Sequence, residues 1–194
     1  MTYSKILGLT AMSAMALMAL VSVNTASATT LEVGGTTKNE SVSIAISLKS
    51  ETSGNLKTTA GAIQNTCTES TGEGSTNSPF TGEVVAGGNS SSGLNNCTRA
   101  VTVHNPGKVE VEWRSETTDG TVISKEAEVT TGSILGTLKC TTGKGTDVGL
   151  LTGVSEGDAT MHINAIVDCG FVLPSAILSA TYTVTSPEGL GVSS

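Results

Sequence analysis

The chain has 194 residues, a formal net charge of −7, 23 glycines and only 3% aromatic residues. This acidic balance excludes a nucleic-acid partner, whose phosphates demand a basic face, and it excludes attachment to an anionic membrane by net charge alone. Self-repulsion in solution is what such a charge supplies.

Residues 1–28 read as a cleaved secretory signal peptide. Lys5 precedes an apolar run from Ile6 to Val23, and Ala26-Ser27-Ala28 offers the small-x-small pattern that signal peptidase needs. Gly8, Thr10 and Ser13 dilute the run, which argues against a retained anchor, and no membrane span is expected after cleavage. Residues 29–194 then form a single all-β secreted domain of ordinary size. Its aromatic residues are Phe80, Trp113, Phe171 and Tyr182, so the core falls to Val, Ile, Leu and Ala.

Segment 29–40 is expected to be a flexible arm or a short edge strand. In SVSIAISL, Val42, Ile44, Ile46 and Leu48 share one face at a period of two. Ser70 to Ser78 and segment 86–96 read as exposed loops rich in Gly, Ser and Asn. In KVEVEW, Val109, Val111 and Trp113 face one way, and Glu110 and Glu112 the other. Asp119-Gly120 is a two-residue hairpin signal, because that turn needs positive φ. The next strand is expected to run from Val122 to Val129. GSILGTLKC places Ile134, Leu138 and Cys140 together, and ATMHINAIVDC does the same for Ala159, Met161, Ile163, Ala165 and Val167. LSATYTVT turns Leu178, Ala180, Tyr182 and Val184 inward. Eight to eleven short strands of this kind predict an antiparallel β-sandwich or barrel.

An internal duplication runs through these segments. Cys67 to Gly82 and Cys140 to Gly153 align from Gly72-Glu73-Gly74-Ser75 and Gly143-Lys144-Gly145-Thr146 to Thr81-Gly82 and Thr152-Gly153. Each copy is expected to hold a strand, a Gly-rich turn, a return strand and a second cysteine. Four cysteines in a secreted chain imply two disulfides and allow three pairings. The duplication favours Cys67–Cys97 and Cys140–Cys169.

Chemistry-bearing motifs are few. Gly153-Val154-Ser155-Glu156-Gly157 fits the G-x-S-x-G pattern that presents a nucleophilic serine, with His162 and Asp168 nearby. That elbow needs a helix after the serine, yet the following residues alternate like a strand. His162 and Asp168 stand six residues apart on a strand, about 20 Å and too far for a direct hydrogen bond. Ser155 therefore reads as a turn residue, and a serine hydrolase is the minor alternative. Around Lys144, TTGKGT lacks the spacing and the helix of a phosphate loop and reads as a hairpin turn. His104 and His162 lie on polar strand faces without an acidic cluster, so no metal, cofactor or catalytic residue is assigned. Glu110 and Glu112 suit cross-strand pairing with basic residues.

The cleaved signal, C-T with F-T-G-E-V-V, the later L-N-N-C-T, the E-V-E-W strand and T-Y-T-V resemble the small secreted bacterial β-proteins called protein activator of alkane oxidation. The resemblance implies an exported surface or matrix protein that aids contact with hydrophobic substrates or surfaces. The function expected is thus a secreted or cell-surface β-domain with a non-enzymatic adhesive, binding or structural role, acting on a surface, matrix or protein partner. A secreted inhibitor or small-ligand carrier is a further alternative, and self-association through an edge strand such as 42–48 is another.

Overall fold

The structure, a computed structural model, describes residues 29–78, 80, 82–86, 94–114, 116–143 and 145–194. The expected signal segment, Lys144 and most of the 86–96 loop lie outside the described residues. The described chain is all strand and turn. In order, the strands are β1 (Thr30–Val33), β2 (Thr36–Lys38), β3 (Ser43–Leu48), β4 (Gly54–Thr58), β5 (Ile63–Thr76), β6 (Glu83–Ala86), β7 (Leu94–Cys97) and β8 (Val101–Asn105). They continue as β9 (Lys108–Trp113), β10 (Gly120–Lys125), β11 (Glu128–Ser133), β12 (Gly136–Thr141), β13 (Thr146–Thr152), β14 (Thr160–Val167), β15 (Ala176–Ser186) and β16 (Leu190–Ser193).

Antiparallel pairings close a ring: β3 to β5, β6, β9, β10, β13, β14, β15 and back to β3. Closure leaves the ring without open edges, and at eight strands the interior is either filled by side chains or left with room for one small ligand. The period-two alternation sets what faces inward. Val42, Ile44 and Ile46 pack on the core with Val109, Val111, Trp113, Val122, Met161, Ile163 and Val184. Across one end lies the sheet β16-β1-β2, whose Leu31, Leu190 and Val192 are buried in the same core. The first and last described strands meet there.

Three strands continue beyond this ring into a second half. β5 has 14 residues and β15 has 11, roughly 46 and 36 Å of strand at about 3.3 Å per residue. Below the ring β4 takes the place of β3 between β15 and β5. The sheet β8-β11-β12 covers the opposite side and joins β14 where Thr141 and Asp168 exchange backbone hydrogen bonds of 2.8 and 3.1 Å. Asn65 of β5 cross-links this sheet: its Nδ2 donates to Thr131 Oγ1 at 2.8 Å and to the Arg99 carbonyl at 3.0 Å. A second core of Leu56, Leu138, Val167, Leu173 and Ala176 fills this half. Both disulfides form as expected, Cys67–Cys97 and Cys140–Cys169, and they lie in this half, at what we call the disulfide end.

Several expectations fail for identifiable reasons. Sixteen strands replace eight to eleven, because the chain turns more often than its apolar beat shows. Segment 29–40 is no loose arm: β1 is hydrogen-bonded on both sides and Leu31 is 2% exposed. Ser70 to Ser78 is not a loop, since β5 runs unbroken through Thr76. Gly72 and Gly74 sit opposite Ile46 and Ile44 rather than in a turn, so the first repeat copy lacks its Gly-rich turn. The second copy is not a hairpin either, because β12 pairs β11 while β13 pairs β10 and β14, so the chain passes between sheets there.

The 122–129 strand breaks at Glu126, whose φ of 61° turns the chain from β10 into β11. Asp119-Gly120 is not the hairpin turn either. Gly120 pairs with Trp113 inside the ladder, and a Cβ there would overlap the Val111 side chain, so glycine serves close approach rather than positive φ. Ile134 faces solvent at 61% exposure in the tip between β11 and β12, while Leu138 and Cys140 are buried. Strand β3 is hydrogen-bonded on both edges within its own chain, so segment 42–48 is an internal strand.

Candidate functional site

Inside the ring lies a partly open cavity of about 300 Å³. Its wall comes from Ile44 and Ile46 of β3, Val109 and Val111 of β9, Met161 of β14, and Leu178 and Val184 of β15. Gly72 and Gly74 line it as well, and the Ile46 side chain packs onto Gly72, where a Cβ would stand 3.0 Å from its Cγ1. A smaller cavity of about 110 Å³ lies in the second half, lined by Leu56, Cys67, Val101, Cys140 and Val167. The two share Leu94, Ala127, Val129, Leu178 and Tyr182, so they meet at one waist.

One polar pair marks that waist. The hydroxyls of Ser70 and Tyr182 are hydrogen-bonded at 3.1 Å. Burial raises the Tyr182 phenol above its ordinary value of 10.0, and the Ser70 hydrogen bond opposes that in part. A raised folded-state value keeps its stabilisation below pH 10 and loses it as pH climbs through the folded value. Tyr182 is the one tyrosine of residues 29–194, so tyrosinate absorbance of a protein comprising those residues reports it alone. Its midpoint is expected above 10, and higher again in Ser70→Ala. A midpoint at or below 10 in the folded protein would refute the buried setting.

The other singled-out residues are not brought together. Ser155 lies exposed in the 153–159 turn at the end where β1, β2 and β16 lie, followed by a strand. His162 is exposed on β14 with Nδ1 3.2 Å from Thr181 Oγ1. Asp168 is at the disulfide end, where its Oδ1 accepts the Gly170 N–H at 2.8 Å. His104 Nε2 lies 2.7 Å from Thr130 Oγ1 across β8 and β11. Glu110 pairs diagonally with Lys125 at 2.9 Å, as its strand face suggested. Trp113 packs on the core, and its Nε1–H donates to the Thr117 carbonyl at 2.8 Å. Among the described residues no group of three or more His, Cys, Asp or Glu could hold a metal ion.

Sequence reasoning missed the cavity. Its residues come from strands far apart in the chain, and its two wall glycines carried a turn signal. Among the described residues no helix is long and apolar enough to cross a membrane. No known protein family, no curated protein and no solved structure matches the chain.

Proposed function

We propose that this is an exported, non-enzymatic binding protein that carries a small apolar ligand inside its barrel. The carrying observation is the 300 Å³ cavity, walled by aliphatic side chains and two glycines. An apolar cavity of about 150 Å³ already stays dry and takes up benzene, so this one offers room for a larger hydrocarbon skeleton. The Ser70–Tyr182 pair supplies a hydrogen-bonding point at the waist of a mostly apolar wall that also includes Thr71, Glu73 and Asn105, which suits a largely apolar ligand with a polar group. The two disulfides fit an oxidising compartment outside the cytosol. The resemblance to the alkane-oxidation activators points the same way.

The test is titration of the mature protein with N-phenyl-1-naphthylamine, whose fluorescence rises in apolar surroundings. Saturable binding is expected, weakened at least tenfold by Val129→Phe or Leu178→Phe, which fill the waist. Two different filling positions guard against one variant merely unfolding, and circular dichroism checks each. Absence of saturable binding, or binding unchanged in folded filled variants, would overturn the proposal.

A further inference from the structure

The large hydrophobic side chains exposed among the described residues are Ile63, Ile134, Leu135, Ile166, Phe171 and Val172. All of them lie at the disulfide end. Ladder register sets Ile63, Lys57, Ile177 and Ile166 in one row across β5, β4, β15 and β14. Ile134 and Leu135 form the tip between β11 and β12, and Phe171, at 102% exposure, projects with Val172 from the loop after Cys169.

Both tips are built into the fold. Ser133 Oγ accepts the Leu135 N–H at 2.9 Å and donates to the Gly136 carbonyl at 2.9 Å. In the other loop Leu173 N–H donates to Gly170 O at 3.2 Å and Cys169 N–H to Leu173 O at 3.1 Å, with Leu173 turned into the core. The Cys140–Cys169 bridge joins the two tip-bearing segments.

Charge is unevenly placed. Segments 54–67, 97–101, 128–141 and 165–178, which build this end, carry Lys57, Arg99 and Lys139 against Glu128 and Asp168, with Lys139 paired to Glu128 at 2.9 Å. The opposite end, where β1, β2 and β16 lie, carries Glu32, Glu116, Asp119, Glu156, Asp158 and Glu188 against Lys38 and Arg114. The net charge of −7 thus conceals a polarity along the molecule. A second copy docked end to end would meet the same surplus of cations, and the 134–135 and 171–172 tips stand on separate projections rather than on one flat face. An anionic bilayer meets both features: its headgroups attract the cations, and its interface accepts projecting Phe, Ile, Leu and Val side chains.

We propose that the disulfide end docks on an anionic lipid bilayer, with Phe171–Val172 and Ile134–Leu135 entering the interface and Lys57 and Arg99 facing the phosphates. This rests on surface residues and stands or falls separately from the cavity. The experiment is co-sedimentation of the mature protein with vesicles of phosphatidylglycerol and phosphatidylcholine, and with phosphatidylcholine alone. Binding is expected on the mixed vesicles, weaker on the neutral ones, and reduced at least tenfold in Phe171→Asp/Val172→Asp. Glu156→Gln/Asp158→Asn, at the opposite end, is expected to bind as the parent does. The replaced tips are exposed, so an unchanged unfolding temperature confirms that the variants fold. No binding to mixed vesicles, or binding undiminished in the aspartate variant, overturns the proposal. So does sedimentation showing a dimer that the aspartate variant disperses, which assigns the surface to a second copy.

Discussion

Replacing Cys140 and Cys169 together by alanine is expected to remove about 3–4 kcal/mol of stability. The bridge closes a loop with a sequence separation of 29, and the chain-entropy treatment assigns that much to a loop of about 30 residues. At about 2–4 °C per kcal/mol for a domain of this size, the unfolding temperature falls by roughly 6–16 °C. The Cys67–Cys97 bridge has a separation of 30, so entropy alone makes the two equal. Burial separates them. Cys140 and Cys169 are 4% and 3% exposed inside the second core, whereas Cys97 is half-buried. Their removal adds lost packing against Leu138 and Leu173, and the larger fall is expected there. Thermal unfolding of the two double variants side by side checks this; a fall below about 2 °C at Cys140–Cys169, or the reverse order, sinks it.

The second large effect is expected at Gly153. A Cβ at this position would overlap the carbonyl oxygen of Thr118, with Gly191 Cα at 2.9 Å. Gly153 N–H also donates to Asp119 Oδ1 at 3.0 Å, and its carbonyl accepts the Thr118 hydroxyl at 2.9 Å. The residue is therefore clamped between the 114–119 loop and β16, and a methyl group can enter only by moving backbone. Gly153→Ala is expected to destabilise by about 3 kcal/mol. Ser155→Ala, two residues on and exposed, is expected to stay within about 0.5 kcal/mol. Urea unfolding followed by Trp113, the single tryptophan, measures both. Equal effects at the two positions would contradict this account. The G-x-S-x-G pattern thus matters for its first glycine and not for its serine.

Periodicity made the inward faces of β3, β9, β14 and β15 readable, because half-buried strands alternate whatever their partners are. The disulfide pairs were readable from the two-copy spacing, although the first copy's turn does not exist. What stayed hidden depends on distant pairing. Nothing near Ser43 says that it joins a ring whose other side is β15, over a hundred residues later. Gly72 and Gly74 carry a turn signal locally, yet their role is set by Ile46 and Ile44 on the neighbouring strand. Ile134 reads as core by alternation, but the β11–β12 turn falls on it and sends it outward. The cavity is the sum of these hidden terms, which is why composition and motif gave no hint of it.

The pairing of β1 with β16 has a kinetic consequence. Thr30 and Ser193 are register partners, with their hydroxyls 2.7 Å apart across a sequence separation of 163. β3 likewise waits for β15, and β5 is flanked by strands from both directions. Pairings this distant slow folding, because loop closure must precede the contacts that reward it. The barrel therefore has no N-terminal part that can mature first. A chain that emerges N-terminus first stays open until β15 and β16 arrive, and then closes as one unit.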